Sequence, residues 1–394
     1  MIQNVPYCSG CSACANICPQ NAISMQPSSE GFLIPIVNED LCSKCGLCVK
    51  ICPVLNLVEN DCVKEPKAFA AKINDEDIRL QSSSGGVFTA LAQKVIEENG
   101  VVFGAALDKG LNLFHIGVET IEELSKLRGS KYFQSQIGDT YKQVKSLLLK
   151  ERPVLYSGTP CQIAGLYAYL RNKKYQNLVT VDVICHGAPT PKLFKIYKQE
   201  IEEKNKGILK EINFRNKNKG WKSYSITKVI ANNSDEVGCN NEISDTLKDN
   251  VFMRLFLKDI CLRESCHHCT YSKIPRIADI TLGDYWGIQN IHPDFDDDKG
   301  TSLVLLNSKT GEALWNKVQE NITIIPTDLK TAIKHNPSVQ SSCKSHPKRK
   351  DFFEQLGKEP LQSLANRYCR KPNIIKRLIK KCLRKAKKII KKDH

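Results

Sequence analysis

The chain repeats one cysteine pattern, as CSGCSACANICP over residues 8–19 and as CSKCGLCVKICP over residues 42–53. In both copies the cysteines are spaced x2, x2 and x3, and a proline follows the last one. Three thiolates at this spacing can bind three corners of one 4Fe–4S cubane, while the fourth cysteine opens a helix toward a second cubane. The pattern therefore predicts a ferredoxin-type domain with two 4Fe–4S clusters over residues 1–62.

The crossed spacing assigns the eight thiols to two sites. The first site takes the thiols of Cys8, Cys11, Cys14 and Cys52, and the second site takes those of Cys18, Cys42, Cys45 and Cys48. Gly10, Gly46 and the small residues beside them fit loops that point backbone N–H groups at sulfur. A pair of structural zinc sites is the alternative, although zinc sites rarely repeat four cysteines at this spacing.

The composition is ordinary except for the cysteines. Of 394 residues, 41% are hydrophobic, 25% are charged and 18 are cysteine, which excludes fibrous and globally disordered proteins. The first residues lack the basic and apolar segments of a secretory signal, and no apolar run is long enough to span a bilayer. We therefore expect a cytoplasmic protein whose thiols serve metal or redox chemistry rather than disulfides.

Positive charge is concentrated at the C-terminus. The formal net charge is +16, and residues 370–394 account for +11 of it, which leaves +5 for the rest. A body without a basic stripe disfavours nucleic-acid binding. Apolar residues from Ile374 to Ile390 follow i, i+1, i+4, i+5 spacing, which predicts an amphipathic helix in a basic tail over residues 346–394. We expect this tail to bind the anionic surface at the inner face of the membrane. A helix docked on the protein or a solvated tail is the alternative.

Between residue 66 and about residue 345, short strands alternate with helices, which predicts a mixed α/β body. Two segments there suit an anionic ligand. Ser82–Gly86 precedes a helix with hydroxyls and glycines, and Arg128–Tyr132 combines two cations, a glycine and a hydroxyl. Helix capping explains the first segment equally well.

Two cysteines follow predicted strands of this body. Thr159, Pro160 and Gln162 fit the N-cap, N1 and N3 positions of a capping box, which places Cys161 at N2, where helix N–H groups lower the pKa of a thiol. Cys185 follows a strand over residues 178–184, at the strand end where α/β sheets usually build their sites. Cys161 could serve as a cluster ligand or as a catalytic acid–base thiol.

A third cysteine group lies further along the chain. Cys261, Cys266 and Cys269 supply three thiols within nine residues, and Cys161 or Cys185 could supply the fourth corner of a third 4Fe–4S cluster. We favour Cys185 as that ligand. Zinc is a rival here, because two cysteines spaced x2 beside histidines also bind zinc.

Several of these segments together resemble the coenzyme F420 hydrogenase/dehydrogenase beta-subunit family, preceded by a two-cluster ferredoxin domain. The resemblance rests on Ser83–Gly86, Gly129–Tyr132, Gly158–Gln162, Cys185–Gly187, the cysteine triplet and Asp279–Ile288. It implies bound FAD, a 4Fe–4S cluster in the body and a mixed α/β flavin fold that is not a standard Rossmann domain. The flavin-contacting positions that it implies are Ser83, Ser84, Gly85, Gly86, Gly129, Ser130, Lys131 and Tyr132.

The fold class predicted is thus α+β: a ferredoxin domain, a flavin-binding body in two parts (66–150 and 151–345) and the basic C-terminal helix. We expect an oxidoreductase that passes electrons from reduced ferredoxin through the clusters and FAD to an organic substrate. The resemblance connects archaeal relatives with the deazaflavin F420 and bacterial relatives with polysaccharide biosynthesis, so a sugar derivative is a candidate substrate. The alternative is a non-catalytic electron-transfer subunit of a larger redox complex.

Overall fold

A computed structural model describes residues 2–58, 61–232 and 240–369 of the chain. Its thirteen strands, within those ranges, are β1 (Ile23–Pro27), β2 (Leu33–Val37), β3 (Lys67–Ile73), β4 (Val101–Leu107), β5 (Leu113–Val118), β6 (Val154–Gly158), β7 (Leu178–Val183), β8 (Gly207–Asn216), β9 (Ser225–Asn232), β10 (Asn240–Thr246), β11 (Ile280–Asp284), β12 (Ser302–Leu306) and β13 (Ile322–Thr327).

The α-helices in the same ranges are α1 (Ala13–Ile17), α2 (Leu47–Lys50), α3 (Glu76–Gln81), α4 (Val87–Glu97), α5 (Leu124–Leu127), α6 (Thr140–Leu149), α7 (Pro160–Tyr169), α8 (Pro191–Asn205), α9 (Val251–Phe256), α10 (Glu264–His267), α11 (Lys309–Asn316), α12 (Leu329–Ile333), α13 (Arg349–Gln355) and α14 (Leu361–Tyr368). Short 3-10 turns complete them at Ile2–Asn4, Ile288–Asn290, Pro293–Phe295, Gln319–Asn321 and Pro337–Val339.

The N-terminal domain is a ferredoxin-like unit. Strands β1 and β2 form an antiparallel pair, and α1 and α2 follow the first cysteines of the two repeats. A left-handed backbone at Ser12 and at Gly46 turns each cysteine loop into its helix. Glycine adopts that conformation without strain, whereas Ser12 requires the surrounding loop to hold it.

The body is built on an eight-stranded mixed sheet with the order β13-β3-β12-β11-β7-β6-β4-β5. Its four central strands β11, β7, β6 and β4 run parallel to one another, and the remaining neighbours pair antiparallel. The carboxyl ends of these central strands therefore meet at one edge of the sheet. This arrangement confirms the predicted mixed α/β architecture.

Apolar side chains alternate between the two faces of the sheet because successive strand residues point to opposite sides. Val102 and Leu155 pack on one face with Leu91 of α4. Phe103 and Tyr156 pack on the other face with residues of α6 and α7. Both faces are covered by helices, as is usual for parallel strands.

A second, three-stranded antiparallel sheet in the order β10-β9-β8 packs against α8 and α9. Phe352 of α13 and Leu361 and Leu364 of α14 are fully buried in the same apolar cluster. Residues 349–368 thus belong to the packed body, although they fall in the range predicted as a basic tail. The amphipathic helix predicted from Ile374 lies outside the described residues.

Across 2–58, 61–232 and 240–369, no helix combines the length and the apolar character needed to cross a membrane.

Candidate redox centre

The first site forms a cavity in the N-terminal domain. The residues that line it include all four predicted ligands, Cys8, Cys11, Cys14 and Cys52. Burial, and to a smaller extent the charge of the neighbouring thiols, raises the pKa of Cys11 to about 12. Since Cys52 comes from the second repeat, the structure brings together the crossed set that the spacing predicted.

Backbone N–H groups point at the sulfur atoms, as the small residues of the loops predicted. Gly10 N lies 3.4 Å from Cys8 Sγ, and Ala22 N lies 3.3 Å from Cys18 Sγ. Such bonds stabilise a thiolate, which is the form that binds metal.

The second site lies at the surface. Burial raises the pKa of Cys48, and the charges of Cys45 and Cys18 raise it further, so these three thiols are neighbours. Cys45 is exposed, and hydrogen bonds from Leu47 N–H and Ser43 lower its pKa. Cys42 begins the same loop and is partly exposed.

The structure brings together four further thiols, those of Cys161, Cys185, Cys266 and Cys269, which we call the third site. Burial raises the pKa of Cys185 well above its usual value, and the charges of the other three raise it further. Burial likewise raises the pKa of Cys266 to about 12, with Cys161 and Cys269 again among the contributors. Ala188 N donates to Cys266 Sγ over 3.3 Å.

Cys261, predicted as a ligand, is more deeply buried than Cys266 and Cys269. It is completely buried in an apolar cluster with Phe252 and Leu255. Burial has the largest effect on its pKa and raises it, and the ionisable groups that contribute most are Asp259, Cys369 and Arg349. Its side chain therefore contributes to the core, although it is close in sequence to Cys266. Cys343, which was assigned no role from the sequence, also lies beside Cys266, with its Sγ 3.6 Å from the Cys266 carbonyl oxygen.

Cys161 occupies the predicted N2 position. The capping box of Thr159 and Gln162 is present, with Thr159 N donating to Gln162 Oε1 over 2.9 Å. Thr159 Oγ1 lies 3.2 Å from Cys161 Sγ and lowers the pKa of the thiol, but burial has the larger effect and raises it. The expected net lowering of this pKa is therefore wrong for the free thiol, because desolvation outweighs the helix-end donors.

The first and third sites approach each other at one glycine of α7. A Cβ atom placed on Gly165 would lie only 2.8 Å from Cys11 Cβ and 2.7 Å from Tyr141 Oη. Cys161 stands four residues before Gly165, one helical turn away. The charge of Cys161 raises the pKa of Cys11, as expected for neighbouring thiols.

The third site lies at the edge where the parallel strands end. Cys161 follows β6, and Cys185 follows the adjacent strand β7. Gly187 lets the loop after β7 approach the segment that carries Cys266, because a Cβ there would lie 2.7 Å from Leu262 Cδ1 and 3.5 Å from Cys266 Cβ. The next strand along, β11, ends at Asp284. Cys161 and Cys185 thus lie at the carboxyl ends of the parallel strands, which is the position predicted for Cys185 from the sequence.

A polar cluster that we call the edge group surrounds Asp284 and contains Ser83, Ser130, Tyr132 and Arg215. Ser83 Oγ accepts from Ser130 N over 2.6 Å, which joins the two segments predicted to contact flavin. Arg215 binds both carboxylate oxygens of Asp284, at 2.9 and 3.1 Å, and its Nη1 lies 3.4 Å from Tyr132 Oη. Arg215 Nε is buried and has no hydrogen-bond partner within the described residues.

Other predicted flavin contacts have structural roles. A Cβ on Gly85 would lie 2.3 Å from the Ala71 carbonyl oxygen, so this glycine is required for packing on β3. Gly86 is similarly close to Ile73. The Lys131 ammonium donates to the carbonyl oxygens of Lys126, Leu127 and Arg128 at the end of α5 instead of facing open space.

The remaining predicted positions differ in surroundings. A Cβ atom added to Gly129 would have no neighbouring atom within 4 Å. Ser84 Oγ donates a hydrogen bond to the Thr301 carbonyl oxygen. The sequence missed Arg215, whose guanidinium also stacks on Tyr224 with 3.9 Å to the ring centroid. The available signal was a basic segment, residues 215–219, that leads into the pair Gly220–Trp221, but the partner of Arg215, Asp284, is distant in sequence.

A buried histidine supports the start of α7. His115 Nδ1 lies 2.9 Å from Ser135 Oγ, and its Nε2 lies 3.0 Å from the Ser157 carbonyl oxygen. Gln162 Nε2 donates to the same Ser135 Oγ over 2.9 Å. Both ring nitrogens are therefore bonded in a network that reaches the capping box before Cys161.

Acidification should weaken the fold through His115. Burial lowers its pKa from 6.5 to about 4, so the neutral ring stabilises the folded state above pH 6.5, and this contribution is lost as the pH falls toward 4. We expect the free energy of unfolding to drop by up to about 3 kcal/mol more in the wild type than in His115→Gln over this window. Urea titrations of both proteins at several pH values measure the difference, and parallel pH profiles would contradict the prediction.

No group of three or more His, Cys, Asp or Glu side chains that could hold a metal ion occurs in the described part of the chain. The thiols of a 4Fe–4S cubane bind four separate iron atoms at its corners, so they stand further apart than the ligands of one ion.

Comparison with protein families gives three matches. Residues 7–56 match the 4Fe-4S dicluster domain, residues 68–141 the N-terminal part of the beta subunit of coenzyme F420 hydrogenase/dehydrogenase, and residues 151–331 its C-terminal part. The two beta-subunit matches together span about two thirds of the chain.

Two individual proteins are also similar. Pyruvate synthase subunit PorD of Thermotoga maritima is 56% identical over 27 residues, which are 7% of this chain and 27% of that protein. The chain thus spans about a quarter of the length of this curated relative. A solved chain of the F420-reducing [NiFe] hydrogenase complex from Methanosarcina barkeri is 18% identical with a TM-score of 0.46, covering 78% of this chain and 94% of its own.

Proposed function

Because the chain belongs to the coenzyme F420 hydrogenase/dehydrogenase beta-subunit family and carries a 4Fe-4S dicluster domain, we propose that it is an electron-transferring flavoenzyme. It takes electrons singly from reduced ferredoxin or a similar donor and delivers them to an organic substrate. The substrate is either the deazaflavin F420 or a sugar derivative of polysaccharide biosynthesis.

Three sets of four thiolates would hold the 4Fe–4S clusters. They are Cys8, Cys11, Cys14 and Cys52 in the first site, Cys18, Cys42, Cys45 and Cys48 in the second, and Cys161, Cys185, Cys266 and Cys269 in the third. We assign Cys161 as a cluster ligand and no longer as an acid–base thiol. Its charge raises the pKa of both Cys185 and Cys266, so the three thiols are neighbours.

The observation that carries the proposal is the close approach of α7 to Cys11 at Gly165. It supports a third cluster next to the first. The second site would lie on the other side of the first and reach the surface at Cys45. Electrons entering at the surface would pass the second, first and third sites in that order. The third site in turn stands beside Asp284, because β7 and β11 are adjacent strands.

The edge group is where FAD would bind. Arg215 Nε, buried without a partner within the described residues, is positioned to donate to an acceptor atom of a ligand, and Ser83, Ser130 and Tyr132 add polar groups beside it. Bound flavin supplies the exchange between single electrons and two-electron chemistry. Arg215 stays charged and oriented, since Asp284 holds it through two hydrogen bonds.

Anaerobically purified protein should carry about 12 iron atoms and one flavin per chain, four irons for each set of thiolates. Iron and acid-labile sulfide assays, together with the visible spectrum of the released flavin, measure these values. About eight irons with one zinc would eliminate the third cluster, and a chain with all its iron but no flavin would eliminate the proposed role of the edge group.

A second candidate function is a non-catalytic electron-transfer subunit. The apolar side chains of Leu41, Val49, Leu55 and Leu57 are exposed around the second site, which suits docking of a protein partner. Turnover of F420 with reduced ferredoxin by the isolated chain would favour the enzyme, whereas activity only after addition of a catalytic subunit would favour this alternative. Membrane binding through residues 370–394 stays a prediction.

A further inference from the structure

Arg263 is a buried cation without an anionic side-chain partner. Its residue is 4% exposed, and no carboxylate within the described residues forms an ion pair with it. Its guanidinium donates to three neutral oxygen atoms: Nε to the Cys8 carbonyl at 2.6 Å, Nη1 to Gln134 Oε1 at 2.7 Å and Nη2 to the Leu33 carbonyl at 2.8 Å. Other buried arginines differ, since Arg276 pairs with Asp182 and Arg215 with Asp284.

An unpaired buried charge is strongly unfavourable unless something nearby compensates it. Carbonyl dipoles satisfy the hydrogen bonds of Arg263 but contribute no net negative charge. The compensating charge therefore has to come from another group close to the guanidinium.

Arg263 lies between the first and third sites. Its side chain reaches the backbone of Cys8, while its own carbonyl accepts from Cys266 N over 2.9 Å and its N–H donates to the Ala188 carbonyl over 3.0 Å. One residue thus connects a first-site ligand with the loop that carries a third-site ligand. Its positive charge also lowers the pKa of Cys161, so its field extends to the third site.

The sequence around the first site is adapted to this contact. A Cβ atom on Gly10 would lie 2.7 Å from Arg263 Nη1 and 2.5 Å from Gln134 Nε2. Only glycine leaves room for the guanidinium at this point of the cysteine loop. The same Gly10 donates its N–H to Cys8 Sγ.

We propose that the positive charge of Arg263 balances the negative charge of the clusters at the first and third sites and stabilises their reduced forms. This inference rests on the proposed function. A cluster bound by four thiolates carries a net negative charge, and the electron it takes from its donor adds one more. A fixed positive charge nearby stabilises that added charge and raises the reduction potential. Arg263 is a positioning residue, because it acts through the clusters and contacts no substrate.

The test is an EPR-monitored redox titration of the intact, anaerobically purified chain and its variants. Arg263→Met and Arg263→Gln remove the charge, and Arg263→Lys keeps it while losing part of the hydrogen bonding. Arg152→Met is the matched control, since Arg152 borders β6 at the opposite edge of the sheet and pairs with Glu119. The second site, with its exposed Cys45, serves as an internal reference.

We expect the neutral variants to have lower reduction potentials at the first and third clusters, and Arg263→Lys to be closer to the wild type. The potential of the second cluster should not change in any variant, and Arg152→Met should match the wild type at all three clusters. Neutral variants that keep their iron and their potentials would overturn the proposal. If both neutral variants lose iron, retention by Arg263→Lys supports the role of the charge, and loss in Arg263→Lys as well overturns it. The iron count of the wild type tests the proposed function separately.

Discussion

Replacing Cys161 by serine should remove about four iron atoms per chain and stop electron delivery beyond the N-terminal clusters. Cys161 shares the third site with Cys185, Cys266 and Cys269, and an alcohol is a poor substitute for a soft thiolate ligand. Cys185→Ser should have the same effect. Iron analysis and EPR spectra of the anaerobically purified variants measure the loss.

Cys261→Ala is the matched control for this result. Its thiol is completely buried among apolar side chains, so the variant should retain its full iron and lose only stability. Loss of four irons from Cys261→Ala, combined with full iron in Cys161→Ser, would restore Cys261 as the ligand and contradict the grouping of the thiols.

Gly165→Val should disrupt the junction between the first and third sites. Glycine normally costs about 1 kcal/mol in a helix, so a larger residue is often favourable there. At Gly165, however, the new Cβ would collide with Cys11 and Tyr141, and overpacking of a dense core costs about 1–3 kcal/mol or more. We expect a lower Tm, loss of iron from the first and third sites, and slower electron delivery between them.

Gly110→Val provides the control for added volume. Gly110 lies in an exposed turn. A Cβ atom added there would contact only the ends of the Asn112 and Asp108 side chains, at 3.0 and 3.3 Å. This variant should keep its iron and nearly all its stability. A Gly165→Val protein with wild-type Tm and wild-type iron would show that α7 does not need to approach Cys11 so closely.

The sequence predicted those features that depend on residues close together in the chain, such as helix caps and cysteine spacing. Helix α8 is an example, because a capping threonine precedes Pro191 and the apolar residues of the helix have helical spacing. The capping box before Cys161 and the cysteine repeats were readable for the same reason. Each of these features depends on residues within a few positions of one another.

Local patterns do not determine where side chains point after long-range packing. Lys131 was predicted to contact flavin, and the structure shows its ammonium at the end of α5, since a buried amine needs acceptors and the helix end offers three. Cys261 was grouped with Cys266 because they are close in sequence, yet their side chains face different surroundings. The pairing of Arg215 with Asp284 joins residues that no local pattern connects.

The exposure of Cys45 has a chemical consequence for the whole chain. A surface thiolate in a metal site is open to small oxidants as well as to donor proteins, and its oxidation to sulfenic or higher acids destroys it as a ligand. The deeply enclosed thiols Cys11 and Cys14 have no such access. In air we therefore expect the second site to be oxidised before the first, so the position proposed to admit electrons is also where damage by oxygen would begin.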